Sequence, residues 1–251
     1  MNLLGKKGLV VGIANQNSVA YGCAKAFQRE GAALAVTYLN AKAEAYVRPL
    51  GEELNAAIIA PLDVLVPGQL EAVFDRIQSE WGHLDFVLHS IAFAPREDLH
   101  GRLVDSSADG FAMAMDVSCH SFLRMAKLAE PLMTDGGCLL TMSYYGAVKV
   151  AENYGLMGPV KAALESCVRY MAAELGPKRI RVNAISPGPL RTRAASGIKD
   201  FEAMLERAAA RVPALATIED VGNLAAFLVS DGARAITGDT TYVDAGYHTT
   251  S

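Results

Sequence analysis

Residues 143–166, SYYGAVKVAENYGLMGPVKAALES, set three phenols, Tyr144, Tyr145 and Tyr154, ahead of a lysine, Lys161, that opens onto an apolar run. A phenol can give a proton or a hydrogen bond to an oxygen that gains charge. An ammonium nearby can lower the phenol's pKa and hold hydroxyl groups. Tyr154 and Lys161 are seven apart, so on one helix they share a face about two turns, or roughly 10 Å, apart. The run after the lysine, AALESCVRYMAAELG, is apolar enough to desolvate an ammonium in part. A lysine that snorkels to solvent and an aromatic that starts a helix fit the same letters. The pair alone does not choose.

Such groups act only where elements hold them. Apolar runs predict strands over 8–12, 33–39, 56–64, 84–93, 137–145, 179–186 and 240–246. Amphipathic patterns predict helices over 18–31, 43–54, 67–82, 106–133 and 153–175. Helix 18–31 stops at a glycine, and 67–82 begins with Pro and ends with Gly, as helices tend to. Strands apolar on both faces, alternating with helices, predict a parallel sheet covered on both sides. Right-handed crossovers make it an α/β, Rossmann-type doubly wound sheet flanked by helices on both faces, in a single domain over 1–251.

Composition fits that reading: 251 residues, 51% hydrophobic and 20% charged, suit one large domain. A net charge of −4 argues against non-specific nucleic-acid binding. The start, MNLLGKKGLVVG, lacks the pattern of a signal peptide, and no apolar run reaches the length of a membrane helix. A cytoplasmic protein with no membrane partner is therefore expected. Cys23, Cys119, Cys138 and Cys167 show no CxxC and the five histidines no ligand spacing, so reduced thiols and no metal are expected.

In a doubly wound sheet, ligands bind beyond the carboxyl ends of the strands. The first such end, VVGIANQNSVAYG, carries Gly12 and Gly22 but no GxGxxG. Ser18 there can cap the helix and offer its hydroxyl to a phosphate. Asp63 and Val64 close the third strand, where a carboxylate could accept from an adenine amino group or simply cap a helix. Ser90, Ile91 and Ala92 let a ribose and nicotinamide approach the backbone. SPGPLRT (186–192) makes an irregular turn whose Thr192 could hold a carboxamide, or makes only a rigid loop. Four such features at four strand ends point to a dinucleotide. The second strand's end (Thr37, Tyr38, Leu39, Asn40) has neither an acid for a 2′-hydroxyl nor an adjacent Arg for a 2′-phosphate, so NADH and NADPH both stay open.

With a nicotinamide in place, the spacing acquires meaning. A ketone that takes a hydride gains charge on the oxygen bonded to the attacked carbon. A conjugated enoyl thioester that takes a hydride at C3 gains it on the thioester oxygen, three bonds away. The acid must then stand farther off. A phenol seven before the lysine suits this second case better than one four before it, where this chain has Met157.

The residues GIANQNSVAYG (12–22), DV (63–64), HSIAFAP (89–95), SYYGAVKVAENYGLMGPVKAALE (143–165), RVNAISPGPLRTRAASGIKDF (181–201) and TIEDVGN (217–223) resemble one family nearly end to end. It is the bacterial enoyl-acyl-carrier-protein reductases of type II fatty-acid synthesis, within the short-chain dehydrogenase/reductases. The resemblance implies a homotetramer that reduces trans-2-enoyl thioesters borne by acyl carrier protein, usually with NADH. It implies that Tyr154 polarises the thioester carbonyl and steadies the enolate, with Tyr144 as a second active-site phenol and Lys161 on the nicotinamide ribose. Gly12, Ser18, Val19, Asp63, Val64, Ser90, Ile91, Lys161 and the turn Leu190, Arg191, Thr192, Arg193, Ala194 match cofactor positions. Leu39 stands where many members carry Gln near the adenosine, and Ala92 where a Gly is common beside the nicotinamide. Ala94, Tyr144, Tyr154, Met157, Phe201 and Met204 fall on the substrate side, in or near a substrate segment at about 190–212. Tyr145 is implied to be packing, and Arg191, Arg193, Lys199, Arg207 and Arg211 to dock an acidic carrier protein or merely to face solvent.

Two rivals remain at this level. One is a carbonyl (3-oxoacyl) reductase of the same superfamily, against which Met157 at the fourth position before Lys161 argues. The other is a non-catalytic NAD(P)-binding regulatory protein, against which the intact Tyr144, Tyr154 and Lys161 argue.

Overall fold

The computed structural model describes residues 1–192, 195–197 and 200–250. Seven strands form its sheet: β1 (Lys7–Val11), β2 (Ala33–Tyr38), β3 (Ile58–Pro61), β4 (Phe86–His89), β5 (Gly137–Met142), β6 (Ile180–Pro187) and β7 (Thr240–Val243). All pair in parallel, in the order β3-β2-β1-β4-β5-β6-β7. The order reverses between β1 and β4, which opens a crevice at the carboxyl ends of those two strands.

The helices are α1 (Val19–Arg29), α2 (Ala41–Glu53), α3 (Gln69–Trp81), α4 (Arg96–His100), α5 (Ala108–Met115), α6 (Ser121–Ala129), α7 (Met157–Leu175), α8 (Phe201–Ala209), α9 (Ile218–Val229) and α10 (Tyr247–Thr250). Side chains alternate across a strand, so each strand feeds two cores. Val10, Leu34, Phe86, Leu140 and Ile185 pack with α1, α2 and α9. Leu9, Ala35, Val87, Leu139 and Val182 pack with α3, α5, α6 and α7. This double burial is why the strand runs read as continuously apolar.

Helices α1 and α9 meet backbone to backbone. A Cβ on Gly22 would stand 2.4 Å from the Ile218 carbonyl oxygen, and one on Gly222 would stand 2.4 Å from that of Gly22. Gly22 is therefore a packing glycine, not part of a phosphate turn. Thr217 and Asp220 form a capping box that starts α9 at this contact.

Several predicted bounds move, each for a local reason. The strands expected over 84–93 and 137–145 end at His89 and Met142, and their last residues leave the sheet as loop. The stretch 106–133 is not one helix: α5 and α6 are joined by a five-residue π-turn, Asp116–His120, and a short 3-10 turn follows at Glu130–Leu132. The helix expected over 153–175 begins at Met157, because Asn153 (φ 59°) and Gly155 (φ 48°) are left-handed and break helical geometry on either side of Tyr154. Tyr154 and Lys161 thus do not share a helix face.

Candidate active site

Beyond the carboxyl ends of β4, β5 and β6 lies a cavity of about 850 Å³. Tyr144, Tyr154, Met157 and Lys161 line it, with Ser90, Ile91, Ala92 and Ala94 from the loop after β4. Leu190 and Thr192 from the turn after β6, Phe201 and Met204 from α8, and Val19 from α1 complete the predicted residues in its wall. Residues drawn from five parts of the chain thus meet in one pocket.

The phenols form a stack. Tyr144 lies between Tyr145 and Tyr154, with ring centroids 4.7 Å away on each side. Tyr145 turns away to an edge-on contact with Tyr247 at 5.3 Å and does not line the cavity. The Tyr144 hydroxyl reaches the Met204 sulfur, at 3.7 Å, a weak acceptor, and interacts with the Tyr145 hydroxyl beside it. Among the described residues none bonds the Tyr154 hydroxyl. Burial pushes the Tyr154 phenol above its ordinary value, and the charge of Glu165 adds to the rise. The expected lowering by Lys161 is absent from these causes. The phenol stays protonated and is able to donate.

Lys161 does not snorkel. It is 5% exposed, and its Nζ donates to the Met142 carbonyl at 2.7 Å. Burial pulls its pKa down to about 8, opposed by Cys119 and by Glu165. The ammonium is held at the end of β5, pointing along the cavity wall, where it can meet hydroxyl groups.

The other predicted positions lie off this cavity, towards the switch point. Gly12 (φ 119°) sits where a Cβ would be 2.1 Å from the Ser90 carbonyl oxygen, so only glycine lets β1's turn pass the end of β4. Ser18 does not cap α1 as expected. Its Oγ instead accepts from the N–H groups of Ala14 and Asn15, at 3.0 and 3.1 Å. That folds the turn while leaving the hydroxyl proton and the Val19 and Ala20 amides available to an anion; the Tyr21 and Gly22 amides already donate to the Ser18 carbonyl. Asp63 Oδ1 accepts from Leu65 N–H at 2.9 Å, a turn-capping role, and the Val64 carbonyl accepts from Arg124 Nη1 at 2.9 Å. Leu39 is 54% exposed, and Asn40 is committed to capping α2 through Ala43 N–H. Arg191 lies outside the cavity in an ion pair with Glu202 at 2.6 Å. Arg193, Ala194 and Lys199 lie outside the described residues.

A nicotinamide dinucleotide fits what is present. Open amides and a serine hydroxyl face the switch point, Gly12 packs there against Ser90, which lines the cavity, and the cavity has a buried ammonium and mainly apolar walls. The sequence did not single out Phe93, Leu99, His100 and Ser143, which also line the cavity. They sit on loop or on a five-residue helix too short for periodicity to mark. His100 Nε2 donates to the Gly197 carbonyl at 2.6 Å and so ties α4 to the segment before α8.

Comparison with known proteins gives the family and the same fold. The family model described as Enoyl-(Acyl carrier protein) reductase matches residues 12–248. An enoyl-[acyl-carrier-protein] reductase [NADH] of Rhizobium meliloti (strain 1021) is 47% identical over 249 residues, covering 98% of this chain and 93% of the relative. The crystal structure of the Anaplasma phagocytophilum enoyl-(acyl-carrier-protein) reductase in complex with NAD superposes with a TM-score of 0.94 at 47% identity, over 98% of this chain and 95% of that one. That of the Bacillus cereus enoyl-acyl carrier protein reductase, solved with NADP+ and an indole naphthyridinone, gives 0.96 at 44% identity, over 99% of each chain.

Proposed function

The chain belongs to the enoyl-acyl-carrier-protein reductase family, and we propose that the cavity at the ends of β4, β5 and β6 is where it carries out that family's reaction. It reduces the trans-2 double bond of enoyl-acyl-carrier-protein thioesters in fatty-acid synthesis, with NADH. The observation that carries the siting is the convergence of Tyr144, Tyr154 and Lys161 on one apolar cavity.

Bound NADH supplies the hydride, which goes to C3 of the substrate. Ser90, Ile91, Ala92, Leu190 and Thr192 shape the wall for the nicotinamide half, and Lys161 holds its ribose hydroxyls. Gly12, Ser18, Val19, Asp63, Val64 and Leu39 serve the phosphate and adenosine half. Tyr154 donates a hydrogen bond to the thioester oxygen as charge builds there; a donor in a water-poor cavity is worth more than the same donor in water. Tyr144 packs against that ring and holds its angle. Ala94, Met157, Phe201 and Met204 bound the acyl chain, with residues 190–212 as the substrate segment.

The acyl carrier protein would approach beside that segment. Arg191 and Arg207 are there, paired with Glu202 and Glu152, and acidic groups on a partner would compete for them. A cytoplasmic homotetramer is the proposed assembly. Phe111 and Met113 on α5 and Tyr170 on α7, 39%, 37% and 70% exposed, support it by leaving apolar surface on adjacent helices, and light scattering tests it. Among the described residues no helix is long and apolar enough to cross a membrane.

The test of the function offers the purified protein NADH with a crotonyl thioester and, separately, with an acetoacetyl thioester. Oxidation of NADH is expected with the first. Oxidation only with the second would make it a carbonyl reductase, and none with either a binding protein.

A further inference from the structure

Glu165 is a buried carboxylate that the phenol–lysine chemistry leaves unused. It is 6% exposed, and burial at that depth disfavours charge unless hydrogen bonds or an opposite charge offset it. Among the described residues one hydrogen bond reaches it, from Ser143 Oγ at 2.5 Å, and Ser143 lines the cavity. Lys161 lies one turn earlier on α7, so the two Cβ atoms are about 5–6 Å apart. The lysine's Nζ is held by the Met142 carbonyl, the residue before Ser143. Two adjacent residues at the end of β5 therefore grip two successive turns of α7, one through an ammonium and the other through a carboxylate.

From this juxtaposition we infer that Glu165, oriented by Ser143, is a positioning residue that keeps Lys161 charged inside the fold so that it can hold the cofactor. The inference rests on the reading of Lys161 as the group that binds the nicotinamide ribose.

The other groups around Lys161 cannot supply that charge. From the π-turn comes Cys119, whose thiol burial raises to about 12. From β4 comes His89, which burial and the lysine's own charge lower to about 3. The loop before α7 brings Tyr154 and the turn after β5 brings Tyr145, which burial raises to about 12. All four are neutral at physiological pH. Arg181 on β6 is turned to the Leu228 and Ser230 carbonyls. Burial raises the Glu165 carboxyl above its ordinary value, and against this the Ser143 hydrogen bond, Arg169 farther along α7 and Lys161 itself favour the ionised form. Among the described residues Glu165 is the acidic group left to raise Lys161 against burial.

The sign follows. A lysine is charged below its pKa, so NADH affinity is kept at lower pH and lost as pH rises through about 8, the value burial gives Lys161. Removing the carboxylate's charge lowers that value further. At a separation of about 6 Å and an effective dielectric constant near 20, the shift is about two pH units.

The test measures NADH affinity by fluorescence titration from mildly acidic to alkaline pH. In Glu165→Gln the loss of affinity with rising pH is expected about two units lower than in wild type, with Glu165→Asp restoring most of it. A role in packing alone would lower the melting temperature and leave that limb in place, which would overturn the inference. Should the buried amide of the Gln variant prevent folding, Glu165→Met fills a similar volume without a polar group and gives the same reading. Turnover of a crotonyl thioester by the wild type is scored separately. A shifted limb without any turnover would leave the Glu165 assignment standing and fail the functional reading; turnover with an unmoved limb would do the reverse.

Discussion

Replacing Tyr154 with Phe removes one hydroxyl to which no described residue is hydrogen-bonded. The ring's contact with Tyr144, at 4.7 Å, survives the change. No described residue loses a hydrogen bond, so folding stability is expected to move by no more than about 0.5 kcal/mol. What is lost is a donor aimed into a cavity where charge develops on a thioester oxygen. Removing one such donor costs about 10²–10³ in kcat, or roughly 3–4 kcal/mol. Tyr144 limits the damage: its hydroxyl is held weakly, by the Met204 sulfur at 3.7 Å and the neighbouring Tyr145, and can turn towards the vacated place. The expected loss is therefore at the lower end, about 10², and Tyr144→Phe added to Tyr154→Phe should cost more than the two alone would suggest. The assay follows NADH oxidation with saturating crotonyl thioester, alongside NADH affinity and thermal melting. A kcat within threefold of wild type, or a loss carried mainly by weaker NADH binding, would refute the assignment of Tyr154 as the donor.

Lys161→Met should separate stability from function. The folded pKa of Lys161, about 8, lies below the ordinary 10.5, so the unfolded chain binds more protons between those values. At pH 7 the buried charge costs about 3 kcal/mol, part of which the Met142 carbonyl bond offsets. The Met variant is expected to melt a few degrees higher at pH 7 and to bind NADH at least about tenfold more weakly; an unchanged melting temperature would contradict the first half. Gly22→Ala should drive α1 and α9 apart, because its Cβ would lie 2.4 Å from the Ile218 carbonyl oxygen and backbone cannot yield cheaply. A loss of about 2–3 kcal/mol is expected, read as a lower urea midpoint at unchanged slope. His89 lies between the hydroxyls of Thr141 and Ser121, at 2.8 and 2.9 Å, with its pKa lowered to about 3. Its folded value lies below the ordinary 6.5, so stability is full above that and falls as pH drops towards about 3. His89→Gln should flatten that acid limb in urea midpoints taken across the pH range.

The sheet was legible because burial on both faces leaves continuous apolar runs, and glycines and prolines punctuate the helices between them. Strand ends were overextended where apolar residues leave the sheet to line the cavity, as Ile91, Ala92 and Tyr144 do. Tyr154 was named from the sequence but placed on the wrong element. The Asn-Tyr-Gly triplet that lifts it out of α7 carried the signal, since Asn and Gly are the residues that tolerate positive φ. Ser18 looked like a cap, and only the folded turn shows its Oγ taken by Ala14 and Asn15. The pair Ser143–Glu165 spans 22 residues and joins a strand end to a helix. No local pattern marks such a contact, because the crossover between β5 and α7 alone brings the two together. Phe93, Leu99 and His100 escaped for a related reason, their positions being set by the loop and short helix after β4.

The central claim is conjugate reduction, with hydride delivered to C3 and charge received by a phenol beyond it. Its most direct measurement locates the label after turnover of a crotonyl thioester with NADH carrying deuterium at the transferred position, in ordinary water. The account predicts deuterium at C3 of the butyryl product and a solvent proton at C2. Deuterium at C2, or transfer only to the carbonyl carbon of an acetoacetyl thioester, would contradict it.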